Sequence, residues 1–167
     1  IFYGIAIIWE RDLGIIHKLL VTPASRTALV LGKALASGLR GLVQTTVVYL
    51  IAIALQIGIR WDLRAMISVI LAVFLGSCIF STFSLVIACI VKTRERFMGI
   101  GQVLTMPLFF ASNAIYPIEL MPGWLRTIAT INPLTYLVDV LRDSMILGGH
   151  GVYSEATSFG IMFIVFL

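Results

Sequence analysis

The sequence predicts an all-α, polytopic membrane protein from its composition, the length of its charge-free blocks and the placement of basic residues between them. Of 167 residues, 60% are hydrophobic and 12% charged, and mean hydropathy is +1.06. Soluble domains carry roughly 25% charged residues. The apolar residues lie in blocks too continuous for the one-sided stripe of a soluble amphipathic helix. In lipid, where no water satisfies the main chain, such blocks read as helices.

Residues 41–59 carry no charge and as a helix measure about 28 Å, close to the ~30 Å hydrocarbon thickness. Residues 65–91 form a second charge-free span, about 40 Å as a helix, which crosses with tilt. Residues 97–118 form a third, with a kink expected at Pro107, whose missing N–H removes one helical bond. Residues 1–9 and 156–167 are each too short to cross alone and read as the end of one span and the start of another. The chain opens without Met and closes inside an apolar run, so it reads as a fragment of one transmembrane domain.

Arg11, Lys18, Arg26, Lys33 and Arg40 precede the first full span, and Lys92, Arg94 and Arg96 lie between the second and third. The alternate connections hold only Arg60, Arg64, Arg126 and Arg142, alongside Asp62, Glu119, Asp139, Asp143 and Glu155. Short loops rich in Lys and Arg stay in the cytoplasm, which places 10–40 and 92–96 inside, and 60–64 and 119–155 outside. The net charge of +4 is thus spread between spans, not gathered on one face, which argues against nucleic-acid binding.

Two connections carry structure of their own. In residues 10–20, Leu13, Ile16, Leu19 and Leu20 fall at helical spacing, with Glu10, Arg11, His17 and Lys18 opposite, the pattern of a short helix lying in the interface. Thr22 is positioned as an N-cap with Pro23 at the first helical position, so a second helix should run through Lys33 towards the first full span. Residues 10–40 then form a cytoplasmic elbow. The outer segment 119–155 is apolar for a loop and is punctuated by Pro122 and Pro133. It reads as two short helices dipping into the bilayer, a re-entrant hairpin.

Enzymatic chemistry lacks its minimum parts. Gly32-Lys33 is followed by Ala34, and Thr27 stands where a phosphate loop needs its first glycine, so the chain does not bind ATP by that device. His17 and His150 lack a metalloprotease context, and Cys78 and Cys89 are too far apart on a helix to bridge; no metal or cofactor is expected in the chain itself. The full spans contain no Asp, Glu, Lys, Arg or His, which disfavours a carrier driven by a proton gradient. Their Ser, Thr, Gln and Asn residues suit interhelical hydrogen bonding, and Gly32, Ala34, Ala36, Gly38 and Gly41 suit close helix approach.

Two stretches resemble the ABC transporter type 2 permeases. The first is Glu10-Arg11-Asp12-x-Gly14, then Leu19-Leu20-x-Thr22-Pro23-x-Ser25-Arg26 and Gly32-Lys33, similar to the family's cytoplasmic loop after the second span. The second runs from Thr105 through Leu108, Ala111-Ser112, Ala114, Met121-Pro122, Pro133-Leu134, Tyr136 and Arg142 and resembles the family's diagnostic pattern; Asn132-Pro133-Leu134-Thr135-Tyr136 and Tyr116-Pro117 ahead of Pro122-Gly123-Trp124 are similar to the drug-exporter branch. The resemblance implies a six-span bacterial or archaeal permease in the cytoplasmic membrane, moving an amphipathic or hydrophobic compound outward. It also implies a separate ATP-binding-cassette ATPase that holds ATP and Mg and grips the elbow, a second permease copy, and an outer hairpin that closes the exit. Export of a polysaccharide or lipo-oligosaccharide, an ion-coupled carrier and a membrane scaffold are the alternatives. For the elbow the plain alternative is an interfacial anchor; for Arg142 it is a headgroup-facing arginine.

Overall fold

A computed structural model of the chain describes residues 3–14, 26–91, 93–146 and 151–166. Among these residues the architecture is entirely helical, apart from a single β-bridge. Seven α-helices are present: α1 (Tyr3–Asp12), α2 (Arg26–Ala54), α3 (Leu63–Ile90), α4 (Arg94–Phe110), α5 (Gly123–Ile131), α6 (Pro133–Met145) and α7 (Glu155–Phe166), with a 3₁₀ turn at Ile118–Leu120. Helices α2, from Thr27, and α3 are long and apolar enough to cross a bilayer. Large apolar side chains such as Val43, Leu50, Ile67 and Leu71 point outward along them, as lipid-facing surfaces do.

The centre of the bundle is α3, which packs against α1, α2, α6 and α7. Its seam with α2 is lined by small groups. A Cβ on Gly38 would lie 2.5 Å from the Phe74 ring, and one on Gly41 would lie 3.2 Å from Val73, so the two backbones approach as only glycine permits. Across this seam Ser37 donates to the Ser77 carbonyl at 3.3 Å and the Cys78 thiol to the Ala34 carbonyl at 3.3 Å. Both are the interhelical use of small polar groups that the sequence suggests. At one end of α3, Ile87, Ala88 and Val91 enclose Ile8 of α1 and Phe97 of α4 in an apolar cluster. Further along, Ile79 packs with Tyr136 of α6 and Met162 of α7.

Helix ends do not coincide with the ends of the charge-free runs. Helix α2 begins at Arg26, so Lys33 and Arg40 belong to one continuous helix with the apolar stretch that follows, about 43 Å long at helical rise. It ends at Ala54, before Gln56 takes a positive φ of 54°, and the chain then extends so that Ile59 pairs with Ile146. The helix expected over residues 10–20 is not continuous. Helix α1 stops at Asp12, and Gly14 follows with φ 70°, the left-handed conformation in which glycine ends helices at least cost. Glu10 therefore sits in the last turn of α1. Thr22 and Pro23, expected to start the next helix, lie outside the described residues with Leu19, Leu20 and Ser25.

The third apolar run is also broken. Helix α4 ends at Phe110, three residues after Pro107. Ser112 then bonds back to the Phe109 carbonyl at 2.7 Å and accepts from the Ala114 amide at 3.3 Å, a local alternative to helical bonding. At 17 residues α4 is about 25 Å long, short of a full hydrocarbon crossing. Helix α6 starts beside that end, where Asn132 reaches the Leu108 carbonyl. It runs antiparallel to α3, with Tyr136 beside Ile79, Leu137 against Gly76, and the Met145 carbonyl accepting from the Arg60 amide at 3.1 Å. From that end to Asn132 is about 20 Å of helix.

Candidate functional site

Leu108, Ser112, Asn132, Pro133, Leu134 and Tyr136 of the second resemblance stretch lie where α4 stops and α6 starts. Asn132 is the junction. Its side-chain amide donates to the Leu108 carbonyl at 2.7 Å and the Ala111 carbonyl at 3.4 Å, while its side-chain oxygen accepts from the Leu134 amide at 3.0 Å. One side chain thereby closes the carbonyl end of α4 and caps the amide end of α6, both of which otherwise leave unpaired main-chain groups. Pro133 occupies the first position of α6, where no N–H is required. Tyr136 is buried and donates its hydroxyl to the Thr130 carbonyl at 2.6 Å, tying α6 back to α5. Ser112 is buried beside this junction. Pro122 stands apart at the exposed start of α5, where its carbonyl accepts from the Leu125 and Arg126 amides at 3.0 Å.

Arg142 turns into the protein. It donates to the Asn113 carbonyl at 2.7 Å and to the Asn113 side-chain oxygen at 3.3 Å. The Asn113 amide in turn donates to Asp139 at 3.1 Å. Asp139 is 1% exposed and accepts two further bonds, from the main-chain amides of Val152 at 2.9 Å and Tyr153 at 2.7 Å. A buried carboxylate is tolerated when its oxygens are fully engaged, and here the engagement joins three pieces of chain: the segment after α4, helix α6, and the lead into α7. The Tyr153 ring packs on Tyr136 with centroids 5.1 Å apart. Sequence reasoning placed Asp139 among ordinary loop charges and Asn113 among generic polar residues. The available signal was an Asp three residues before an Arg, one helical turn apart in an apolar segment.

Two cavities flank this hub. An apolar one of about 360 Å³ lies against the tip of α6, between Thr82, Phe83, Leu108, Pro133 and Phe166. A polar cleft of about 640 Å³ opens at the other end of α6, lined by Arg60, Asp62, Arg64, Asp143, Ser144 and Glu155.

The described elbow residues lie at the opposite end of the bundle. Glu10 in the last turn of α1 is ion-paired with Lys33 of α2, and the neighbouring Trp9 ring carries the Arg94 guanidinium of α4 at 4.3 Å, a cation–π contact. Arg11 and Asp12 complete α1, Gly14 turns the chain, and Arg26 opens α2. Among the described residues no group of three or more His, Cys, Asp or Glu is placed to hold a metal ion.

The chain is similar to three curated transport proteins. It is 30% identical over 140 residues to ycf38 of Cyanophora paradoxa, a protein provisionally named a transport permease, covering 83% of this chain and 48% of that one. It is 30% identical over 140 residues to YbhR of Escherichia coli strain K12, provisionally named a multidrug ABC transporter permease, covering 80% and 36%. With the daunorubicin resistance ABC transporter permease protein DrrB1 of Streptomyces coeruleorubidus it shares 28% over 152 residues, covering 87% and 51%. The chain thus spans about half the length, or less, of these relatives. No solved structure matches it. The sequence profile of the ABC-2 type transporter membrane family matches residues 1–146, the stretch that holds both the elbow base and nearly all of the α4–α6 junction, and the chain belongs to that family.

Proposed function

We propose that the protein containing this chain is the membrane permease of an ATP-driven exporter, carrying an amphipathic or hydrophobic compound outward across the cytoplasmic membrane. In this reading the Arg94 end of the bundle faces the cytoplasm and the elbow, residues 10–40, docks on a separate ATP-binding-cassette subunit that binds ATP and Mg. A second permease copy completes the translocation path. Helices α5 and α6 form the outer gate, with Asn132 at its inner tip.

The observation that carries the reading is the family profile running through the α4–α6 junction, where Leu108, Asn132, Pro133 and Leu134 meet at one capped break. The apolar cavity beside that break has the size and lining of a small-molecule site, which favours a drug-like or lipid-like cargo over a long polysaccharide. The named relatives include a daunorubicin resistance permease, which agrees with that choice.

The test is transport in inverted vesicles carrying the full-length permease with its co-expressed ATPase. Rhodamine 6G serves as an amphiphilic probe and daunorubicin as a second. ATP-dependent accumulation that survives an uncoupler and vanishes with an ATPase-dead partner is the expected result. Accumulation that collapses with the uncoupler and ignores the dead ATPase would establish an ion-coupled carrier instead.

A further inference from the structure

Glu10 and Trp9 are consecutive, so their side chains leave α1 about 100° apart. One reaches α2 and the other α4. The Glu10 carboxylate pairs with the Lys33 ammonium, the two side chains 33% and 21% exposed, and the Arg94 guanidinium sits 4.3 Å over Trp9. The last turn of α1 is thereby held on two sides, one turn before the chain leaves the helix at Gly14.

Lys33 lies two turns inside α2, whose main packing partner is α3. Helix α1 packs on α3 and α4. Among the described residues the Glu10–Lys33 pair is a charged link that ties α1 to α2 at the base of the elbow, closing a triangle of α1, α2 and α3. Residues 13–25 connect α1 to α2 in the chain. A push on that connection reaches the bundle through two helix ends, and the pair fixes how far apart those ends can move.

We propose that Glu10 and Lys33 are positioning residues of the elbow: they strap its two ends together inside the permease, and Glu10 is not a contact to the ATPase. This inference rests on the exporter reading above. It predicts a reciprocal dependence, in which the sign of each charge matters only relative to the other.

The experiment is a charge swap in the full-length permease with its ATPase: Glu10→Lys, Lys33→Glu, and the two combined. Three quantities are measured: melting temperature of the detergent-extracted permease, permease-stimulated ATP hydrolysis, and rhodamine 6G moved per ATP hydrolysed. Each single variant should lower the transport-to-hydrolysis ratio at least fivefold, since it sets two like charges against each other, and the double variant should return it to within twofold of wild type. Failure of the double variant to exceed the worse single variant would overturn the strap and assign Glu10 to the partner. Single variants that melt early yet keep the wild-type ratio would reduce the pair to a fold contact and overturn the positioning role. If the wild-type permease itself stimulates no hydrolysis and moves no probe, the exporter reading fails and the inference falls with it. That outcome is separable, because it is seen before any substitution is made.

Discussion

Asp139 shows how much of this bundle depends on single polar side chains. Its oxygens take two main-chain amides, Val152 and Tyr153, and the Asn113 amide. Main-chain amides cannot rotate away to find other partners. Replacing Asp139 with Leu, which has similar bulk and no acceptor, should leave them unpaired at roughly 1–3 kcal/mol each. The expected outcome is a lower melting temperature for the full-length permease in detergent, with Asp139→Asn falling between because it keeps one acceptor oxygen. A Leu variant that melts with the wild type would show that the hub contributes nothing to the fold. Such residues were partly legible in the sequence. Leu108, Asn132, Pro133, Leu134, Tyr136 and Arg142 were marked by resemblance; among them Asn132 closes a broken helix end and Arg142 holds the segment after it. Asp139 was not marked although it stands one turn before Arg142, and Asn113 was not marked because it lies in the turn after α4, where no helical spacing points to its partners.

Helices α2 and α3 meet through a seam whose spacing is set by what is missing from it. A leucine at Gly41 would drive its Cβ into Ser77 and within 3.2 Å of Val73, whereas a Cβ at Gly32 meets nothing within 4 Å. Gly41→Leu should therefore cost about 1–3 kcal/mol through overpacking, and Gly32→Leu almost nothing. Unfolding of the two variants in detergent with graded sodium dodecyl sulfate checks this, and equal stability would mean that the seam is looser than described. Element boundaries were the least legible feature. A run without charge reports the depth of hydrocarbon, while a helix continues beyond it through charged residues that find partners or water, as α2 does through Lys33, which pairs with Glu10. Conversely, Ser112 and Pro107 end α4 while the sequence is still uncharged. Pro122 and Pro133 marked α5 and α6 well, because proline is at home just before or at the first helical position.

For the whole molecule the orientation proposed from the basic residues has a direct check. Trp124 is 69% exposed at the start of α5, and Arg94 opens α4 at the other end. With Cys78 and Cys89 replaced by Ala, a cysteine at Trp124 should react with a membrane-impermeant maleimide added to intact cells, and one at Arg94 only after the cells are opened. The reverse pattern would invert the proposed topology. The ends of the molecule also differ in how they are fastened. Beside Arg94 the links are side chains, an ion pair and a cation over a ring. At the other end Ile59 and Ile146 meet as a short stretch of main chain, with the Arg60 amide on the Met145 carbonyl. A join made of peptide groups is blind to side-chain identity, so this one link survives any exchange at position 60 except an imino acid, whereas the Arg64–Glu155 pair beside it depends on the residues that make it.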